Sequence, residues 1–320
     1  MLQFQRARLL ARELKRRAVP SIRRLGYLTG ASALLARRQR ALRVIKFQGV
    51  GDAEYPTQVF REQLLYLRRH FRVVTLADLL AGIPRFEGDR HAVALTFDDG
   101  QRNNCTEAYP VLRELGLPAT FFVCPGAIEH QRWIWTQEAR IRLDWLPAGA
   151  RRELARSWST GDDSETMLAR LKAMPTDERI QRIDDLRAAS PAFVPTAEQR
   201  AYYDIMRWDE LRALDPQLVT IGSHTISHPI LTRCNREAQV EEIRGSRRWL
   251  EREIGRAVRF FSYPCGAYDD SVVQLVSEAY DAALADTGLV RQGVDRFTVP
   301  RVPFALDLPV MAWRMLRPGS

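Results

Sequence analysis

The sequence predicts an α/β fold in which parallel strands form a sheet or barrel with helices packed outside it. From Leu42 onward, short runs rich in β-branched and aromatic residues alternate with longer helical stretches, an order typical of βα units. The 320 residues are 46% hydrophobic and 27% charged, as in ordinary globular proteins. No run of 18 consecutive apolar residues occurs, so no membrane-spanning helix is predicted.

The β-rich runs are separated by segments that are long enough for helices. Strands are predicted at Arg43–Val50, Val73–Leu76, Val93–Phe97, Ala119–Cys124, Leu218–Ser223, Val258–Pro264, Asp281–Thr287 and Phe297–Pro303. Helices are predicted at Pro56–His70, Cys105–Leu115, Arg236–Ile254 and Ser271–Ala279. Asn235 suits the N-cap of the third helix and Gly255 its end.

The stretch from Gln131 to Asp204 interrupts this alternation. It is rich in Arg, Glu and Ala and contains four prolines, at positions 147, 175, 191 and 195. We interpret it as a helical insertion, at about residues 131–205, over one end of a barrel that occupies residues 41–320.

The basic residues are concentrated in an N-terminal arm, residues 1–40. Residues 1–46 hold 13 Lys or Arg against one acid, whereas the other 274 residues hold 35 bases and 38 acids. Apolar residues recur every three or four positions through this arm, at Leu10, Leu14, Ala18, Ile22 and Leu25. A basic amphipathic helix of this kind is expected on an anionic membrane surface. The alternatives are a solvated tail or a helix packed on the barrel, and the near-neutral remainder argues against a nucleic-acid partner.

Cysteine spacing and the order of the N-terminal residues bear on the compartment. The four cysteines form no CxxC pair and no zinc-finger spacing, which favours a reducing environment. A signal peptide has a short basic region, then an apolar core and then a cleavage site of small residues, whereas arginines recur throughout this amino terminus. We expect a cytoplasmic protein, peripheral on the inner face of the membrane.

Two carboxylates follow the strand Val93–Phe97 directly, at Asp98 and Asp99, and Gly100 comes next. In α/β barrels the carboxyl ends of the strands carry the active site. The alternative is a turn with two solvated aspartates.

A second strand, ending at Ile221, is followed by the segment Gly222–Pro229, which holds His224 and His228. Two imidazoles and one carboxylate leave positions open on a metal for water and substrate, as catalytic sites require. Alone, such a histidine pair is more often incidental. A third strand breaks into the turn Pro264-Cys265-Gly266, which could direct backbone N–H groups at an oxyanion or be a plain loop.

These three elements, in this order, resemble the polysaccharide deacetylase (NodB-homology) family over roughly residues 42–303. The resemblance implies a distorted (β/α)7 barrel and a hydrolase that removes N-acetyl groups from the amino sugars of a polysaccharide or lipid-linked glycan. It implies a divalent metal, zinc first, with cobalt, nickel, manganese or iron as alternatives. It also implies roles for individual residues: Asp98 as general base, Asp99, His224 and His228 as metal ligands, the Cys265 backbone N–H as oxyanion donor and Thr225 as a brace of the ligand loop.

The chain departs from the family's pattern at several points. Ser262 stands where the family often has an arginine that orients the catalytic aspartate, and Arg301 on the last strand is the substitute candidate. No histidine follows His228, so the family's late general acid is missing; Asp98, or else His130, is the expected proton donor. Phe47-Gln48 replaces a common Tyr-His pair.

Divided roles for the two aspartates predict different pKa values. Asp99 should stay anionic on the metal, whereas Asp98 must take up and release a proton, so a pKa nearer neutrality is expected for Asp98. Two other functions remain open: a deformylase or small-amide hydrolase on the same fold, and a non-catalytic carbohydrate-binding relic.

Overall fold

The computed structural model describes residues 19–39, 41–53, 55–82, 91–291 and 293–318. Its strands, all parallel, are β1 Arg43–Phe47, β2 Arg72–Val73, β3 Ala92–Phe97, β4 Ala119–Val123, β5 Val219–Ser223, β6 Phe260–Ser262, β7 Ala282–Thr287 and β8 Val299–Pro303. Because β1 pairs with both β3 and β8, seven strands close a barrel, and β2 only adds a short pairing at the start of β3. The predicted (β/α)7 barrel is therefore confirmed.

Alternate residues of each strand face opposite sides of the barrel wall. Phe121 belongs to the same hydrophobic cluster as Leu64 and Leu112 of the surrounding helices, so its side of the wall faces outward. Its neighbour Phe122 belongs to a second cluster and fills the interior. A Cβ on Gly222 would lie 2.5 Å from the Phe122 ring, which explains a glycine in the middle of β5.

Helices cover the outside of the barrel. They are α1 at residues 19–28, α2 Ala31–Arg38, α3 Thr57–His70, α4 Leu76–Gly82, α5 Tyr109–Leu115, α6 Pro125–His130, and, after the insertion, α12 Trp208–Arg212, α13 Arg236–Val240, α14 Ser246–Ile254, α15 Asp270–Ala279 and α16 Leu308–Arg314. The predicted helix Arg236–Ile254 forms as α13 and α14, joined by a π-helical turn, Glu241–Gly245. Such turns are frequent at functional sites, and this one carries Glu242.

The chain between β4 and β5 contains five further helices. They are α7 Trp135–Trp145, α8 Ala148–Ser157, α9 Ser164–Ala173, α10 Thr176–Ala189 and α11 Ala197–Tyr203. A separate cluster of buried residues, which includes Trp158, Met167 and Leu186, packs these helices together. Ile230, just past the predicted ligand loop, is part of the same cluster and joins the insertion to the barrel rim.

The end of the basic arm packs on the barrel. The side chain of Arg43, which is fully buried, donates hydrogen bonds to the carbonyls of Ala36 in α2 and Met315 after α16. Leu10, Leu14 and Ala18 lie outside the described residues. Within the described ranges, no helix is both long and apolar enough to cross a bilayer.

Candidate active site

The carboxyl ends of the parallel strands bring the predicted site residues to one rim. Asp98 and Asp99 follow β3, His224 follows β5, and Arg301 lies in β8. All four side chains are buried. The sequence separates Asp98 from Arg301 by 203 positions, yet their side chains are in direct contact.

Asp99, His224 and His228 form one cluster, with a ligand atom of each within 4.8 Å of the others. The Nε2 atoms of His224 and His228 lie 3.6 and 3.5 Å from Asp99 Oδ1, too far for good hydrogen bonds. His224 Nδ1 donates to the Ser262 carbonyl at 2.7 Å, which leaves the lone pair of Nε2 facing the cluster. Burial lowers the pKa of both imidazoles, so both are neutral, as metal ligands must be. This donor set fits a divalent metal.

Arg301 holds Asp98 through two parallel hydrogen bonds. Its Nη1 and Nη2 atoms lie 2.7 and 2.8 Å from Asp98 Oδ1 and Oδ2, and Nη2 also donates to Ser262 Oγ at 3.1 Å. Arg301, the predicted substitute, thus contacts Asp98 in place of the arginine that the family often has at the position of Ser262. Arg259, the other arginine near the third motif, forms a surface ion pair with Asp281 at 2.5 Å.

The pKa values of the two aspartates differ in the direction opposite to our expectation. Burial alone would raise the pKa of Asp98, but the Arg301 guanidinium and, to a smaller extent, His224 hold it below its ordinary range. Burial, and then the negative charge of Asp98, raise the pKa of Asp99 to about 7. The expected near-neutral pKa of Asp98 is therefore wrong, because hydrogen bonds from Arg301 to both of its oxygens favour the charged carboxylate.

Cys265 lies in a 3-10 turn, Pro264–Gly266, directly after β6. Its backbone adopts the left-handed conformation with φ of 54°, and its N–H donates to no backbone carbonyl of the described residues. An unused N–H beside the rim is what the predicted oxyanion donor requires.

Backbone strain is concentrated at the site. Asp99, Thr225, His228 and Cys265 all have φ between 54° and 72°, a region that residues other than glycine rarely adopt. Such strain persists where the surrounding structure imposes it, often at functional sites. Thr225 Oγ1 donates to the His224 carbonyl and accepts from the His228 N–H at 3.0 Å, which agrees with its predicted bracing position.

Glu242 and Gln137 are two site residues that sequence reasoning missed. The Glu242 carboxylate accepts hydrogen bonds from the backbone N–H groups of Ile226 and Ser227 at 2.7 and 3.0 Å and so fixes the loop between the histidines. Gln137, in α7 of the insertion, donates to Asp99 Oδ2 at 2.8 Å, and Gln48 approaches the same oxygen at 3.4 Å. Glu242 lies in a segment whose pattern predicts only a helix, and nothing in the sequence around Gln137 indicates a place in the site.

His130, the alternative proton donor, is at the exposed end of α6. It makes no hydrogen bond or ion pair with a described residue of the cluster. Trp135, one of the aromatic residues at the edge of the insertion, is buried and donates its indole N–H to the His228 carbonyl at 2.8 Å. Trp135 therefore supports the ligand loop.

Sequence comparison identifies the class to which this fold and site belong. The profile of the polysaccharide deacetylase family matches residues 86–280, more than half of the chain. The chain belongs to this family: it is a hydrolase that deacetylates a carbohydrate and acts on carbon–nitrogen bonds other than peptide bonds. No curated protein matches the sequence.

Solved structures share the fold. The chain is similar to the deacetylase PplD of Streptococcus pyogenes, solved in complex with acetate, at 15% identity and a TM-score of 0.58, over 88% of this chain and 98% of that one. It is also similar to IcaB from Ammonifex degensii, at 19% identity and a TM-score of 0.57, over 86% of this chain and 97% of that one.

Proposed function

We propose that this protein is a metal-dependent N-deacetylase of acetylated amino sugars in a polysaccharide or lipid-linked glycan. The observation that carries the proposal is the buried cluster of Asp99, His224 and His228 beside a separate carboxylate, Asp98, that Arg301 keeps ionised. A metal site and a spare base together serve hydrolysis, whereas carbohydrate binding alone requires neither. This pairing argues against a non-catalytic relic.

Asp99, His224 and His228 would hold the metal, zinc by preference for two imidazoles and a carboxylate. When bound, a divalent cation supplies Lewis acidity toward an acyl oxygen and a water molecule. The hydrogen bonds from Gln137 and Gln48 to Asp99 Oδ2 orient that carboxylate, so that Oδ1 points toward the histidines.

Asp98 would act as the base. Its pKa below the ordinary range keeps it ionised at neutral pH, and a carboxylate oxygen that accepts from Arg301 retains a further lone pair for the proton of an attacking water. The Cys265 N–H would donate to the acyl oxygen as negative charge develops there. Asp98, once protonated, is the nearest acid for the departing amine, because the exposed His130 has no contact with the cluster.

The basic arm supports a further part of the proposal, attachment to an anionic membrane surface at the cytoplasmic face. Several large apolar side chains of the described arm are exposed to solvent, namely Ile22, Leu25, Leu28, Leu34 and Leu35. Apolar side chains next to a high density of arginine suit the interface of an anionic leaflet.

The test is release of acetate and, in parallel, of formate from acylated chito-oligosaccharides, with metal content measured on the same preparation. We expect acetate release that a chelator abolishes and added zinc restores. Asp98→Asn should retain the metal and lose turnover. Chelator-insensitive turnover would contradict the metal assignment, and formate release alone would identify a deformylase.

A further inference from the structure

A cavity of about 350 Å³ lies beside the loop between His224 and His228. Its walls come from α6, from α10 of the insertion, from α14 and from the loop residues Ile226 and Ser227. This volume is in the range of small-molecule sites. The catalytic residues Asp98, Asp99, His224 and His228 do not line it.

Arg179 of α10 lines this cavity and is only 3% exposed. Its Nη1 is buried without a hydrogen-bond partner, and Nη2 makes one hydrogen bond, to Thr176 Oγ1 at 3.3 Å. The guanidinium stacks on the Trp135 ring at 4.7 Å. Among the described residues, no carboxylate forms an ion pair with Arg179. Burial lowers the pKa of the guanidinium, although the negative charge of Glu242 acts in the opposite direction, as expected of a cation taken out of water without an ion pair.

A buried arginine without a counter-ion is unfavourable for folding and is rare without a functional reason. Arg142 and Arg187 of the same insertion share the carboxylate of Glu138, so acidic partners are available to arginines nearby. The cavity itself has no acidic residue among the described residues that line it. Its charge is therefore complementary to an anion.

The other walls are mostly apolar. Trp135, Ile183, Ile226 and Trp249 line the cavity, and Ile180 at its edge is 53% exposed. An anion alone would leave these side chains against water, whereas a hydrocarbon chain would cover them.

We propose that this cavity binds a phosphate group esterified to a hydrocarbon chain, with the phosphate on Arg179 and the chain against the isoleucines and Trp249. A phosphate offers several acceptor oxygens, which suits the free N–H of Arg179. The ligand would contact the loop that carries His224 and His228. Binding here does not require deacetylation, so the proposal and the catalytic assignment can fail separately.

Isothermal titration calorimetry of the full chain with octyl phosphate tests the proposal. We expect saturable binding of one equivalent, with octanol and inorganic phosphate each bound about tenfold more weakly or worse, because each lacks one half of the interaction. Arg179→Gln should weaken octyl phosphate by about tenfold, to the level of octanol.

Two further variants keep the test decisive if Arg179→Gln does not fold. Ile180→Glu places a negative charge at the exposed edge of the cavity and should weaken octyl phosphate similarly. Val194→Glu, at another exposed apolar position of the insertion, is the matched control and should bind as the unaltered protein does. Equal affinity for octanol and octyl phosphate, or unchanged affinity in Ile180→Glu, would overturn the proposal. If octyl phosphate bound only to the basic arm, its affinity would be unchanged in Ile180→Glu.

Discussion

Replacing Arg301 by methionine should destabilise the protein by about 3–5 kcal/mol at neutral pH, the usual result of breaking one side of a buried ion pair. Arg301 is 2% exposed and Asp98, whose carboxylate it holds, is 4% exposed. With both hydrogen bonds lost, Asp98 is left as a buried charge without its main partner. Methionine fills a similar volume, so the loss reports the missing charge and hydrogen bonds more than a cavity.

The destabilisation should depend on pH with a definite sign. In the natural protein the pKa of Asp98 is depressed, so the pair contributes stability above the unfolded-state pKa of about 4 and loses it as the pH falls through the folded-state value. In Arg301→Met, burial acts with little opposition and raises the pKa of Asp98. The variant then takes up a proton on acidification and recovers stability, so the difference between the two proteins should shrink from pH 7 toward pH 4.

Urea unfolding followed by tryptophan fluorescence, at both pH values and equal metal content, measures this difference. Arg259→Met removes an exposed ion pair with Asp281 and should change the free energy of unfolding by less than about 1 kcal/mol. Adding Asp98→Asn to Arg301→Met should recover part of the loss. A loss below about 1 kcal/mol at neutral pH, or a difference that does not change on acidification, would refute the reasoning.

Three further predictions address the cluster, the arm and the proton donor. Asp99→Ala should lose bound metal whereas Asp98→Asn keeps it, measured by metal analysis after dialysis; equal loss in both would contradict the division of roles. Deletion of residues 1–30, which spares the packed helix α2 and with it Leu34 and Leu35, should strongly reduce sedimentation with anionic vesicles at physiological salt without lowering acetate release; sedimentation equal to that of the full chain would place the membrane contact outside residues 1–30. His130→Gln should leave the alkaline side of the kcat/KM profile unchanged, and loss of an alkaline limb in that variant would identify His130 as the acid.

Short apolar runs between helices predicted a parallel sheet or barrel, a pattern set by burial on both faces of the strands. The runs ending before Asp98 and His224 were found in this way, and the barrel geometry then brings their ends together. The resemblance to the polysaccharide deacetylase family then implied the seven-stranded barrel. Boundaries were less accurate: of the predicted strand Val73–Leu76 only Val73 lies in a strand, β2, and Leu76 already begins α4, because a short apolar run fits either element.

Contacts between distant parts of the chain could not be predicted in the same way. Gln137 contacts Asp99 because the insertion folds back over the rim. A single glutamine in a charged helix does not alter the hydrophobic pattern of the sequence, so this contact could not be recognised there. The pKa values of the two aspartates depend on the contact of Arg301 with both oxygens of Asp98 and on the burial of both carboxyl groups, which only the packed structure decides. Arg301 itself was found because Ser262 replaced an expected arginine.

The separation of Asp98 and Arg301 along the chain affects the order in which the protein can mature. During synthesis Asp98 leaves the ribosome 203 residues before its partner, and β8, which carries Arg301, is also the strand that closes the ring against β1. Nascent chains that end before β8 hold Asp99, His224 and His228 but lack the cation that makes burial of Asp98 favourable. We therefore expect pairing of Asp98 with Arg301 and closure of the barrel to occur together, late in folding.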